Sequence, residues 1–204
     1  AVFTERDRRV RYMRQVNAGV AVARNTGIGS VDAQYIACLD ADDAIQPQFL
    51  RLCVAELEAN RSTGIAYTGL GYIKPDGESG VSEWPSEFDF DAQLARKNQV
   101  PTCCVFRREM WQRLGGYRQR YAPHGAGAED AEFWLRAGAY GYNAKRVTEA
   151  PLFIYSWGSG RVSGDKNYHE VDWTYWHPWV RDGLHPVASL AKPKKFSHPA
   201  RQYD

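Results

Sequence analysis

The sequence predicts an α/β domain with a mainly parallel sheet, and three observations carry that expectation. Short apolar runs alternate with helix-period segments from Val10 to Glu58. One run, Tyr35-Ile36-Ala37-Cys38-Leu39, stops abruptly at Asp40-Ala41-Asp42-Asp43, the pattern of a buried parallel strand that ends in a functional loop. The composition is ordinary for a globular chain: 204 residues, 44% hydrophobic and 25% charged, enough for one domain with a substantial core.

Taken in order, residues 10–16 read as the first strand. Residues 19–31 read as a helix, with Val20, Ala23 and Ile28 on its apolar face. After the strand at 35–39, Pro47 opens a second helix through Leu50, Val54 and Leu57, proline being tolerated in a first turn. Residues 65–74 are strand-like, and the glycine-rich, polar stretch 75–85 reads as a hairpin or loop. A short helix is expected within 88–97, a strand at 103–106 and a helix at 109–114, ended by Gly115-Gly116 in left-handed geometry. A mobile-looking segment at 118–128 leads to an amphipathic helix at 129–139, then strands at 143–147 and 152–157. Beyond, Trp173, Tyr175, Trp176 and Trp179 crowd together and prolines punctuate a lysine-bearing tail. This divides the chain into a main α/β domain at 1–160 and an aromatic, linker-like extension at 161–204.

Charge excludes some functions. The formal net charge is +2, so no global field points to nucleic acid. Arg6, Arg8, Arg9, Arg11 and Arg14 crowd the first segment and read as a solvated basic face. The four cysteines form no C-x-x-C pair, and Cys38 and Cys53 lie in apolar runs, so reduced buried thiols and a cytoplasmic setting are expected. No apolar run approaches the ~20 residues that cross a bilayer.

Three features carry chemistry. The carboxylates of Asp40, Asp42 and Asp43 repel one another unless a cation or donors balance them. A hard divalent ion held by one or two carboxylates and substrate phosphates resolves that repulsion; solvation or helix capping is the plainer alternative. Arg24, within Ala23-Arg24-Asn25-Thr26-Gly27, offers a planar fork suited to phosphate or carboxylate. Glu129-Asp130 opens a helix, where acids also serve simply as caps. The functional reading makes Asp130 a general base. The histidines His124, His169 and His177 are read as exposed, and the tryptophans Trp157, Trp173, Trp176 and Trp179 as packing rather than sugar-stacking groups.

In this order and spacing, Gln15-Val16-Asn17-Ala18-Gly19, Ala23 to Ile28 and Tyr35 to Asp43 resemble family 2 glycosyltransferases of the GT-A fold. Val105-Phe106-Arg107-Arg108-Glu109 with Leu114-Gly115-Gly116-Tyr117, and Glu129-Asp130-Ala131-Glu132-Phe133-Trp134-Leu135-Arg136, are similar to that family's acceptor-side segment and E-D helix. The resemblance implies a mainly parallel Rossmann-like sheet with its first βαβ unit missing, and inverting transfer from a nucleotide-diphosphate sugar to a carbohydrate or glycolipid hydroxyl. It implies Mn²⁺ or Mg²⁺ on Asp42 and Asp40, with Asp43 assisting. It places Arg24 beside the nucleotide and makes Asp130 the catalytic base. Gly116, Tyr117, Glu129 and Trp134 would shape the sugar and acceptor pocket. A further domain is expected C-terminal to the chain, and any peripheral membrane association would come through regions outside it. Two other functions compete: nucleotidyl transfer, for which no glycine-rich basic loop is present, and a non-catalytic carbohydrate- or nucleotide-binding module of a larger transferase.

Overall fold

The computed structural model describes residues 6–94, 97–118 and 129–158. The expected segment at 118–128, the three histidines and the C-terminal extension therefore lie wholly or almost wholly outside the described residues. The described elements are helices α1 (Val20–Gly29), α2 (Phe49–Ala59), α3 (Phe90–Leu94), α4 (Arg108–Leu114) and α5 (Glu129–Ala139). The strands are β1 (Tyr35–Ala37), β2 (Ala44–Ile45), β3 (Thr63–Ile73), β4 (Ser79–Ser82), β5 (Val105–Arg107) and β6 (Asn143–Ser156).

The six strands form one sheet in the order β1-β5-β3-β6-β2, with β4 pairing β3. It is mixed: β3 and β6 run parallel, and every other described pair is antiparallel. The α/β class stands, but the parallel character is less than the sequence pattern implies. Short apolar runs look alike in either direction, and β5 enters between β1 and β3 with opposite polarity.

Strand β3 is central and buried along most of its length, and its side chains alternate between two cores. Ile65 and Tyr67 face a cluster with Ala21 and Ile28 of α1, Met110 and Leu114 of α4, and Phe133, Trp134 and Ala137 of α5. Ala66 and Leu70 face Phe49, Cys53 and Leu57 of α2. Helices thus cover both faces of the sheet. On α1 the buried pair is Ala21 and Ile28, whereas Val20 and Val22 are exposed. On α2, Phe49, Cys53 and Leu57 turn inward at helical spacing, leaving Leu50 exposed. The buried Arg107 guanidinium terminates this packing. It donates to the carbonyls of Thr63 at 2.9 Å, Asn60 at 3.1 Å and Leu57, supplying donors that the end of α2 lacks.

Two strand expectations change. Residues 10–16 form no strand; Tyr12 and Val16 are 78% and 88% exposed. Their backbone has no neighbouring strand among the described residues, and β-propensity without a partner does not make a sheet. The segments at 143–147 and 152–157 are instead one strand, β6, which follows β3 through register shifts around Thr68 and Gly69. The irregularity brings the Glu149 carbonyl so close that a Cβ on Gly69 would lie 2.1 Å from its oxygen, so only glycine fits there.

Candidate active site

The acidic loop owes its position to topology. β1 and β2 are the two ends of the strand path, so residues 38–43 cross the end of the sheet. A turn closes the loop through the Asp43 amide, which donates to the Asp40 carbonyl at 3.1 Å. At the far side, the Ser156 amide donates to Asp43 Oδ1 at 2.9 Å, and the Ser156 hydroxyl donates to the Asp42 carbonyl. Burial raises the Asp43 carboxyl above its ordinary range, the Ser156 amide opposes, and Asp40 adds a smaller push upward. Asp42 is exposed and Asp40 partly so.

Helix α5 brings the second acidic pair. Its Ala131 to Ala137 stretch is buried, and its first turn carries Glu129 and Asp130. The link is Arg24 on α1. Its Nη1 donates to Glu129 Oε1 at 2.5 Å, and its Nη2 donates to Asp40 Oδ1 and Oδ2 at 3.1 and 3.4 Å. The guanidinium also lies over the Tyr117 ring, 5.6 Å from its centroid. Residues 16 and 105 positions away in sequence thereby share one buried cation. Burial opposes the Arg24 charge, but Glu129, Tyr117 and Asp40 together outweigh it and raise its pKa. The Glu129 carboxyl is raised by burial and then by Asp130, against the pull of Arg24.

Asp130 is 7% exposed. Its Oδ1 accepts from the Ala131 amide at 2.7 Å and its Oδ2 from the Thr102 hydroxyl at 2.8 Å. Tyr117 follows the left-handed Gly115 and Gly116 (φ 72° and 77°) that end α4. Asn25 pins this turn: its Nδ2 donates to the Tyr117 carbonyl at 2.8 Å, and its Oδ1 accepts from the Tyr117 amide and Trp111 Nε1, both at 2.9 Å. Arg136 holds the other side, donating to the Gly116 carbonyl at 2.7 Å and to the Leu114 carbonyl. Trp134 is fully buried against Phe106, Phe133 and Tyr117, so it supports the site from the core and offers no open face. Beside the site, a groove of about 600 Å³ runs between α1 and β1, from Val20 and Ile28 to Asp40 and Ala41.

The structure thus brings Arg24, Asp40, Glu129 and Tyr117 into direct contact, with Asp130 adjacent, and holds Asp42 and Asp43 on the same loop. Sequence reasoning left Thr102 unassigned and gave Asn25 no role. The hydroxyl and amide side chains match no spacing rule, and their partners lie 28 and 92 residues away. Among the described residues no three His, Cys, Asp or Glu side chains converge on a metal position. The Asp42 carboxylate is exposed on the same loop as Asp40, and hard divalent cations are commonly held by one or two carboxylates together with phosphate oxygens and water.

These features define an α/β domain whose acidic loop, at one end of a sheet, is wired to a carboxylate-bearing helix. The sequence profile of "Glycosyl transferase family 2" matches residues 2–115. Chondroitin synthase of Pasteurella multocida (strain Pm70) is 33% identical over 79 residues, 38% of this chain and 8% of that protein. Glycosyltransferase GlyA of Streptococcus pneumoniae is 33% identical over 85 residues, covering 38% of this chain and 12% of that protein. Succinoglycan biosynthesis protein ExoO of Rhizobium meliloti is 38% identical over 84 residues, 41% of this chain and 22% of that protein. The matched stretches are thus a small part of each relative's length. The chain belongs to glycosyl transferase family 2. Glycosyl transfer is the chemistry of that class, and its GT-A fold accounts for the helix-covered sheet seen here.

Proposed function

We propose that this chain carries the catalytic core of an inverting transferase that moves a sugar from a nucleotide-diphosphate donor to a hydroxyl of a growing polysaccharide. One observation carries the reading: the Arg24 guanidinium joins Asp40 of the acidic loop to Glu129, the neighbour of Asp130. Donor-side and acceptor-side carboxylates then belong to one site. The names of the chondroitin synthase and succinoglycan biosynthesis relatives support a polysaccharide acceptor.

In the reaction, the acceptor oxygen forms a bond to the anomeric carbon from the face opposite the diphosphate. The bond from that carbon to the diphosphate oxygen breaks, and its electron pair leaves with the diphosphate. The acceptor proton passes to the Asp130 carboxylate, which must lie within hydrogen-bond reach as the hydroxyl acidifies. Arg24 fixes Asp40 against α5 and neutralises part of the charge that Glu129 and Asp130 accumulate. A Mn²⁺ or Mg²⁺ ion bound through Asp42 with Asp40 would supply charge neutralisation for the departing diphosphate.

Calorimetric titration with UDP or GDP and Mn²⁺ tests the donor half. Wild type is expected to bind in a cation-dependent manner, and Asp42→Asn to lose at least tenfold in affinity. Transfer from a labelled nucleotide sugar tests the other half, with Asp130→Asn expected to slow turnover by about 10² to 10⁴ while nucleotide affinity holds. Binding without transfer to any acceptor would favour the non-catalytic module, and pyrophosphate release from a nucleoside triphosphate would favour nucleotidyl transfer.

A further inference from the structure

We propose that Thr102 is a positioning residue for the base: its hydroxyl fixes the plane of the Asp130 carboxylate so that one defined lone pair meets the acceptor proton. The inference rests on the reading of Asp130 as the base, and its geometry is independent of the acidic loop.

The final torsion of an aspartate joins an sp³ to an sp² carbon and has a broad, roughly two-fold profile, so the side chain alone does not set the carboxylate plane. At Asp130 the adjacent Ala131 amide holds Oδ1 at 2.7 Å. That donor belongs to the same turn of α5 and leaves the second oxygen free to swing. Thr102 supplies the missing constraint from a different part of the chain, donating to Oδ2 at 2.8 Å across 28 residues of sequence. Threonine suits the task because its β-branch restricts the first side-chain torsion and so limits where the hydroxyl points. Its backbone is anchored between the buried Pro101 and Cys103, at the entry to β5. With one donor on each oxygen, roughly two of the four lone-pair sites of the carboxylate are occupied, and the remainder have fixed directions.

The Asp130 charge is felt by ionisable groups on several neighbouring elements. They are Arg24 from α1, Glu129 from α5, Cys104 from the approach to β5, and Tyr117 after α4. Of these, Arg24 spends its hydrogen bonds on Glu129 and Asp40. Thr102 is thus the side chain bonded to Asp130 among the described residues. A general base displaced by about 1 Å can lose on the order of a hundredfold in rate without losing substrate affinity.

Thr102→Val removes the hydroxyl and keeps the shape, and Thr102→Ser restores the donor. In full-length enzyme, Thr102→Val is expected to lower kcat by about 10-fold to 100-fold with the donor KM within about twofold, and Thr102→Ser to recover most of it. A second readout needs no turnover. In ¹³C-aspartate-labelled protein at one pH, the Asp130 carboxyl resonance, assigned by its loss in Asp130→Asn, should move in Thr102→Val and return in Thr102→Ser. An unmoved resonance overturns the hydrogen bond. A moved resonance with unchanged kcat overturns the positioning role, as does equal loss of kcat in Val and Ser variants. Wild-type turnover in Asp130→Asn overturns the base assignment itself, a failure visible separately from the resonance test.

Discussion

The two halves of the site are built differently. The shell around the start of α5 and the Gly115-Gly116 turn is largely buried and tied by several hydrogen bonds. Arg136 joins Glu132 to the carbonyls of Leu114 and Gly116, and Asn25 holds both backbone groups of Tyr117. The acidic loop, by contrast, has a side chain 43% exposed at Asp40, an exposed Asp42, and anchors at its own turn and at Ser156. Folding alone fixes the first half. The second keeps negative charge near solvent, where the proposed cation would meet it. Arg24 is the shared member, buried like the shell and bonded to the loop.

The sharpest way to break this contrast is to exchange the expected costs. Arg136→Met strands the 2%-exposed Glu132 without its partner and frees two carbonyls. Removing one member of a buried pair costs about 3–5 kcal/mol, so urea denaturation should show a loss of that size. Asp42→Asn on the exposed loop should stay within about 0.5 kcal/mol of wild type, although it is the variant expected to lose nucleotide. Comparable losses of stability in both would show that the loop is as much a part of the folded scaffold as the shell.

A smaller effect sharpens the comparison within the shell. Asn25→Ala leaves the Tyr117 amide and carbonyl and the Trp111 indole N–H without their partner. Such desolvated groups cost about 1–3 kcal/mol. Gly116→Ala attacks the same contact from the opposite side, because a Cβ there would lie 2.7 Å from Asn25 Oδ1 at a φ of 77°, a strain of about 1–3 kcal/mol. Because both changes act on one contact, the double variant should cost less than the sum of the singles, by thermal or urea denaturation. Full additivity would mean that the turn is held independently of α1.

How much of this was legible follows the range of the interactions. The helix at 129–139 and the stop at Gly115-Gly116 were readable because amphipathic spacing, acids in a first turn and left-handed glycines are local signals. The strand expected at 10–16 failed for the opposite reason: propensity does not reveal whether a pairing partner exists. The split expected in β6 failed because a register irregularity against β3 mimics two strands in sequence. In the site, Asp40 and Glu129 stood out as motif residues, but nothing local says that one arginine reaches both. Thr102 and Asn25 were invisible in the same way, since a polar side chain acquires its role only when the fold supplies its partner.

The smallest expected effect concerns pH, and it separates a buried carboxylate from the unfolded chain. Burial pushes Glu132 upward, and Arg136 counters it only in part. A glutamate in the unfolded chain titrates near ~4.3, so above that value the folded protein holds this proton more tightly than the unfolded one. The contribution of Glu132 is then most favourable below the unfolded value, and stability is lost as pH rises through the folded one. Because the linked slope follows the difference in bound protons, one such group contributes less than about 1.4 kcal/mol per pH unit. Glu132→Gln should lower overall stability, because Arg136 loses its charged partner, yet give a flatter curve of urea midpoint against pH from ~4 to ~7. A slope unchanged in that variant would assign the pH dependence to other carboxyls, Glu129 foremost, since it is raised in the same direction by burial and by Asp130.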